Sequence, residues 1–173
     1  MERRVINIRA AREGESSVLA AIGLRAWANA TSAIGVTEAL RENARVAFEN
    51  FTHSSWRAII LAEAGGVVVG WAAREHFDET ITDFWVDPVY QRQGVGTALL
   101  ADIERQIEAR GLPLAKLESH AQNDQAVSFF RKHGYSVSWF SMKYSTKLDR
   151  EVQSVGLQKQ LVDMDIGGYG FGF

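Results

Sequence analysis

The chain has 173 residues, 46% of them hydrophobic, a formal charge of −2 and no cysteine. That length and apolar share suit a single domain with a proper core, and the missing cysteine excludes disulfides, thiolate metal sites and a cysteine nucleophile. No window approaches the roughly 18 apolar residues of a membrane span, Met1-Glu2-Arg3-Arg4 lacks a signal-peptide core, and the charges form no basic stripe, so a cytoplasmic protein without membrane or nucleic-acid partners is expected.

Val5, Ile6 and Ile8 open a first strand, after which Val18, Leu19, Ile22 and Ala26 recur at helical spacing. From residue 31 to 51 the pattern is helical again, with Val36, Leu40, Ala44 and Phe48 on one stripe and Gly35 marking a break. Residues 56–64 are rich in apolar and branched side chains, Gly65-Gly66 signals a hairpin turn, and residues 67–71 continue as the partner strand. A third strand, residues 80–86, is closed by Asp87-Pro88, because proline cannot donate to a central ladder and restricts the residue before it.

From Gly96 onward, Leu99, Ile103 and Ile107 share one stripe with Asp102, Glu104 and Glu108 off it, and Gly111 then Pro113 stop the helix. Residues 114–119 read as a short strand, and Asn123 is placed to cap a helix carrying Ala126, Phe129 and Phe130 up to Gly134. Strand character returns over residues 137–148, where alternation slips between Trp139 and Phe140 and predicts a bulge or bend. The domain is expected to span residues 1–150. Residues 151–173 then form a C-terminal tail, whose last stretch, residues 167–173, alternates glycine with Tyr169, Phe171 and Phe173 and is expected to be mobile or ordered by a partner chain.

The chemically informative run is Asp83-Phe84-Trp85-Val86-Asp87-Pro88-Val89-Tyr90-Gln91-Arg92-Gln93-Gly94-Val95-Gly96-Thr97, a glycine-containing loop between a strand and a long helix. Such a loop aims backbone N–H groups outward, and the helix start adds the positive end of its dipole, so a pyrophosphate is its natural occupant. A Walker loop would need a lysine after its last glycine, where Thr97 stands, and a Rossmann fingerprint would need glycine where Leu99 stands. Gln91, Gly94 and Gly96 instead meet the pattern Gln/Arg-x-x-Gly-x-Gly/Ala. Asn123-x-x-Ala126 and Phe129-Phe130-x-x-x-Gly134-Tyr135 follow where the pattern's owners place them. Over residues 56–148 the chain resembles the GNAT N-acetyltransferase superfamily, and the first fifty residues are compatible in pattern.

That resemblance implies a mixed α/β fold with a largely antiparallel, V-shaped sheet and helices on both faces. It implies acetyl-CoA as co-substrate and no metal. The strand before the loop would splay from the next, with the Val86 N–H turned to the thioester carbonyl, where it stabilises the oxyanion. The co-substrate would lie on Trp85, Val86 and the backbone of Gln91, Arg92, Gln93, Gly94, Val95, Gly96 and Thr97, with Asn123, Phe130 and Arg131 beyond. Asn123 can serve as helix cap and cofactor contact together. Arg131 and Lys132 would meet the 3′-phosphate or simply solvate a helix end.

An amine is protonated near pH 7, so transfer needs a proton acceptor. Glu118 resembles the proposed base of the ribosomal-protein N-terminal acetyltransferases, against the plainer reading of a solvated strand-end carboxylate. Asp83, a second carboxylate expected to contact substrate, sits on a strand whose alternation can also point it away. Phe130 departs from the family, in which many members carry tyrosine as the acid for the leaving thiolate. That role would pass to Tyr144 or Tyr135, or lapse, since a thiol of pKa about 8.5 leaves tolerably well. His53, His76, His120 and His133 have no metal-ligand spacing, and only His120 falls near the presumed cleft. The implied reaction is direct acetyl transfer in a ternary complex to a small-molecule amine, an amino acid or an antibiotic-like acceptor. The alternatives are a protein N-terminal acetyltransferase and a non-catalytic acyl-CoA-binding module. A homodimer is expected through the aromatic tail.

Overall fold

The computed structural model describes residues 5–162. Tyr169, Phe171 and Phe173, and the dimer contact expected of them, lie outside the described residues. The elements in chain order are β1 (Ile6–Ala10), α1 (Ser16–Ala30), α2 (Glu38–Ser54), β2 (Ile59–Ala64), β3 (Val67–Ala73), β4 (Asp83–Val86), α3 (Val95–Ala109), β5 (Leu114–His120), α4 (Asp124–Lys132), β6 (Ser136–Ser145) and β7 (Arg150–Gln160). No helix among the described residues is long and apolar enough to cross a membrane.

Local chemistry sets most of these boundaries. Gly35, at φ +76°, separates α1 from α2 as its position predicts, and the Thr37 hydroxyl accepts the Leu40 N–H at 3.2 Å to start α2. Gly65 and Gly66 both take positive φ in the β2–β3 hairpin, a conformation side-chain-bearing residues adopt only under strain. Trp56–Ala58 forms a 3₁₀ turn before β2, so the strand expected from residue 56 starts three residues later, at Ile59.

The strands form two antiparallel sheets, ordered β1-β2-β3-β4 and β5-β7-β6. Alternation along β2 sends Ile60, Ala62 and Ala64 to one face, against Leu99, Ile103 and Ile107 of α3, and Ile59 and Leu61 to the other, against α1 and α2. Each such fully buried aliphatic side chain contributes about 1.5–3 kcal/mol of transfer free energy. The buried Trp71 indole donates to the Leu19 carbonyl at 2.8 Å, which satisfies its polar edge inside the α1–α2 layer.

Edge strands β4 and β5 join the two sheets. They touch at one end, where the Ile81 N–H donates to Lys116 O at 2.8 Å and the Lys116 N–H to Glu79 O at 3.0 Å. Beyond that parallel bridge they are not paired, and this parting produces the V.

The expected domain boundary after residue 150 does not coincide with the end of the sheet. Residues 150–160 form β7, the central strand of the second sheet, in register with β5 from Leu114↔Gln160 to His120↔Ser154 and with β6 along its whole length. Its buried stretch, Ser154–Leu157, mixes polar and small residues with apolar ones, which hides the strand period. Gly156 is required there, since a Cβ would fall 2.0 Å from the indole nitrogen of Trp139 on β6. The β6 bulge lies between Val137 and Trp139, slightly earlier than the slip in alternation suggested.

Candidate functional site

The open end of the V is assembled from β4, the β4–α3 loop, the end of β5 and the start of α4. Antiparallel pairs alternate between hydrogen-bonded and non-bonded positions. The 2.9 Å bond from the Asp87 N–H to Val69 O, with Val86 opposite Gly70, fixes that parity. Trp85 and Asp87 therefore turn their amides to β3. Phe84 and Val86 turn theirs into the gap toward β5, where no strand pairs with them.

The following loop is held by Asp87, whose carboxylate is buried. It accepts from Arg25 Nη2 of α1 at 2.7 Å and from the Val89 N–H at 3.3 Å. Arg92 and Gly94 take φ of +62° and +84°, which curls the chain so that successive amides face one side. The bond from the Ala98 N–H to Gly94 O opens the α3 ladder, and the amides of Val95, Gly96 and Thr97 precede it without helical acceptors. A Cβ on Gly96 would meet the Phe129 ring at 3.1 Å, so glycine lets α3 start this close to α4 without displacing that ring.

These groups line a cleft of about 580 Å³ that includes Trp85, Val86, Gln91, Arg92 and the turn from Gly94 to Thr97, and continues to Asn123, Phe130, Lys132 and His133. Gln93 and Arg131, both expected in the site, do not line it. Of the Arg131–Lys132 pair only Lys132 reaches the wall, where it joins Arg92, because adjacent residues of a helix point about 100° apart. Asn123 caps α4 by accepting the Ala126 N–H at 3.3 Å while it also faces the cleft. Sequence reasoning missed His133 and Gln125. His133 Nδ1 donates to Phe129 O at 2.8 Å, which leaves Nε2 to accept from the Thr97 hydroxyl at 3.2 Å in the neutral ring. Gln125 Nε2 donates to Gln91 Oε1 at 2.9 Å. A glutamine reaching back to a glutamine 34 residues earlier leaves no linear signal.

A second cavity, of about 330 Å³, opens on the other side and shares Phe84, Trp85, Asn123 and Phe130 with the first. Its walls carry Asp83, Glu118, His120, Lys143, Tyr144 and Lys147. Glu118 accepts from Lys143 Nζ at 2.7 Å, and both side chains are about half exposed. Exposed pairs of this kind contribute at most about 1 kcal/mol. The Trp85 indole donates to Asp83 Oδ1 at 3.1 Å, and burial pushes the Asp83 carboxyl above the ordinary carboxylate range. Burial also lowers His120 below the usual imidazole value, assisted by the charge of Lys147, and its Nδ1 is buried without a hydrogen-bond partner.

The phenols are committed elsewhere. Tyr144 gives its hydroxyl proton to Asp149, a bond that holds its pKa above the ordinary phenol value; it borders the second cavity and not the cleft. Tyr135 is buried, donates to Glu104 Oε1 at 3.0 Å and borders neither cavity. Phe130 packs edge-on against Phe84, ring centroids 5.2 Å apart, at the junction of the two. Among the described residues no cluster of three His, Asp or Glu could hold a metal ion.

Residues 23–135 match the acetyltransferase (GNAT) family, and the chain belongs to that family. It is 33% identical over 72 residues to a [ribosomal protein bS18]-alanine N-acetyltransferase of Escherichia coli, covering 42% of this chain and 49% of that protein. It is 34% identical over 91 residues to a mycothiol acetyltransferase of Streptomyces avermitilis, covering 50% of this chain and 30% of that one. The chain thus spans half or less of the length of the curated relatives it matches. Among solved structures, the PaiA N-acetyltransferase of Thermoplasma acidophilum in complex with coenzyme A superposes with a TM-score of 0.71 over 90% of this chain and 99% of that one, at 17% identity, a likeness of fold.

Proposed function

We propose that the chain transfers the acetyl group of acetyl-CoA to the amine of a small molecule, directly and within a ternary complex. The observation that carries this reading is the meeting of the two cavities at the open end of β4 and β5, where the unpaired Val86 amide lies between a phosphate-type cradle and a pocket of carboxylates. The cleft suits the co-substrate on its own chemistry: Val95, Gly96 and Thr97 supply free N–H groups and a helix N-terminus for a pyrophosphate, and Lys132 adds a cation. Bound there, acetyl-CoA supplies an acyl carbon activated as a thioester.

The remaining work falls to the chain's own groups. The Val86 N–H holds the acyl oxygen as negative charge develops on it, a donor of the kind whose removal costs about 3–4 kcal/mol. Glu118 takes the proton of the incoming ammonium once that cation displaces Lys143 from its carboxylate. Asp83, buried beside Trp85, orients the amine. Phe130 cannot donate to the departing sulfur, and Tyr144 and Tyr135 are hydrogen-bonded to carboxylates. A thiol pKa of about 8.5 makes such an acid dispensable. Holding both reactants in one channel can itself supply several kcal/mol of the barrier.

A second reading, acetylation of a protein N-terminus, is favoured by the likeness to the bS18-alanine enzyme. Coenzyme A release measured against small amines, amino acids and N-terminal peptides, with calorimetry of coenzyme A binding alongside, decides between them. Binding without release for every amine would make the chain a non-catalytic acyl-CoA-binding module. An absence of binding would overturn the proposal.

A further inference from the structure

The polar groups around the 330 Å³ cavity are mostly spoken for: Glu118 by Lys143, Tyr144 by Asp149, Asp83 by the Trp85 indole. Lys147 is not. It lies half-buried in the turn between β6 and β7, its Nζ 5.0 Å from the centroid of the Phe48 ring, and among the described residues no carboxylate oxygen comes within 4.0 Å of it. The turn is fixed from both sides. Leu148, only 1% exposed, is sunk into the α1–α2 core, and Asn43 Nδ2 donates to Thr146 O at 3.0 Å. The backbone that carries Lys147 is therefore fixed at the cavity wall, and its ammonium rests against the Phe48 ring.

Its field reaches the other two cavity groups. The charge of Lys147 draws the Asp83 carboxyl down against the larger upward push of burial, and it adds to burial in lowering His120. Lys147, Asp83 and His120 line the same cavity, and His120 Nδ1 is buried there without a partner. A cation that has lost part of its hydration and has no counter-ion gains most when a ligand brings the missing anion. The same cavity carries the carboxylates of Asp83 and Glu118, and it adjoins the cleft that Val86 lines. The charge pattern is that of a container for a dipolar ion.

Resting on the acetyl-transfer reading above, we infer that the acceptor is a small zwitterion, its amine directed to Glu118 and Val86 and its carboxylate held by Lys147. Peptide N-termini, whose own carboxylate is far away, would leave Lys147 unmatched. So would simple alkylamines.

The experiment pairs each common α-amino acid with its carboxamide, which keeps the amine and nearly the same volume while removing the charge. Coenzyme A release should give kcat/KM at least tenfold higher for the acid of the best pair. In Lys147→Gln that ratio should fall to near one through a raised KM for the acid, and Lys147→Arg should restore part of it. Titration of the same pair into protein saturated with coenzyme A reads the preference without turnover: the acid should bind measurably tighter than the amide, and the difference should vanish in Lys147→Gln. Equal use or equal binding of acid and amide, or a preference that survives Lys147→Gln, would overturn the inference. If the acid binds selectively but no amine releases coenzyme A, the zwitterion site stands and the transfer reading falls.

Discussion

The two cavities that meet at the parted strands are built from different materials. The larger one is mostly main chain: an unpaired strand amide, a curled loop and the first turn of α3, with glycine at the points of close approach. The smaller one is mostly side chain, with Asp83, Glu118, Lys143 and Lys147 delivered by β4, β5, β6 and the turn after it. Main-chain geometry is tolerant of residue identity and specifies a chemical group, in the proposed function a phosphate and an acyl oxygen. Side-chain geometry is cheap to change and specifies a molecule. The division of labour explains how a family can keep one donor and vary its acceptors.

Four perturbations probe that division, and they should differ in size as well as kind. Gly96→Glu puts bulk against the Phe129 ring and a negative charge at the helix start, and should weaken coenzyme A binding by more than about 100-fold in calorimetry. Retained affinity would mean the cradle lies elsewhere. Val86→Pro removes an N–H that takes no part in the β3–β4 ladder, so the edge strand should tolerate it. Turnover should fall by about 100- to 1,000-fold while coenzyme A still binds. An undiminished kcat there would dismiss the amide from the reaction.

Glu118→Gln belongs to the side-chain half. It should lower kcat by about 100-fold at neutral pH and flatten the acidic limb of the pH–rate profile, with coenzyme A affinity nearly intact. A profile identical to that of the unaltered protein would remove Glu118 as the proton acceptor. The smallest effect concerns stability. Because the Asp83 carboxyl is pushed up in the folded state, the native protein holds that proton more tightly than the unfolded chain does, and the group subtracts stability as pH rises through the ordinary carboxylate value near 4. Asp83→Asn, which can still accept from Trp85, should raise Tm by a few degrees at pH 7 and by less at pH 4. An equal shift at both pH values would count against desolvation as the cause.

The same contrast governs what could be read from the chain in advance. Gly94, Gly96 and Asn123 report local backbone needs, a left-handed turn, a close approach and a helix cap, and each stands where its spacing placed it. Nothing in linear order announces that Glu118 pairs with Lys143 or that Lys147 faces Asp83, because those proximities exist only after β5, β6 and β7 are side by side. Which of Arg131 and Lys132 reaches the cleft wall is a matter of one helix residue's rotation, finer than periodicity resolves over a helix as short as α4. β7 escaped notice because a strand buried on both faces over Ser154–Leu157, with a glycine among them and Gln158-Lys159-Gln160 at its end, has no clean two-residue alternation.

The position of β7 has a bearing on how the molecule comes into being. It is the last strand in chain order yet the middle one of its sheet, so β5 must wait for a neighbour whose residues lie more than thirty positions downstream. During synthesis the four-stranded sheet and α3 can consolidate first. β5 and β6 would stay unpaired until residues 150–160 leave the ribosome. The loop and helix start that line the larger cavity can therefore form ahead of the β6 and β6–β7 walls of the smaller one.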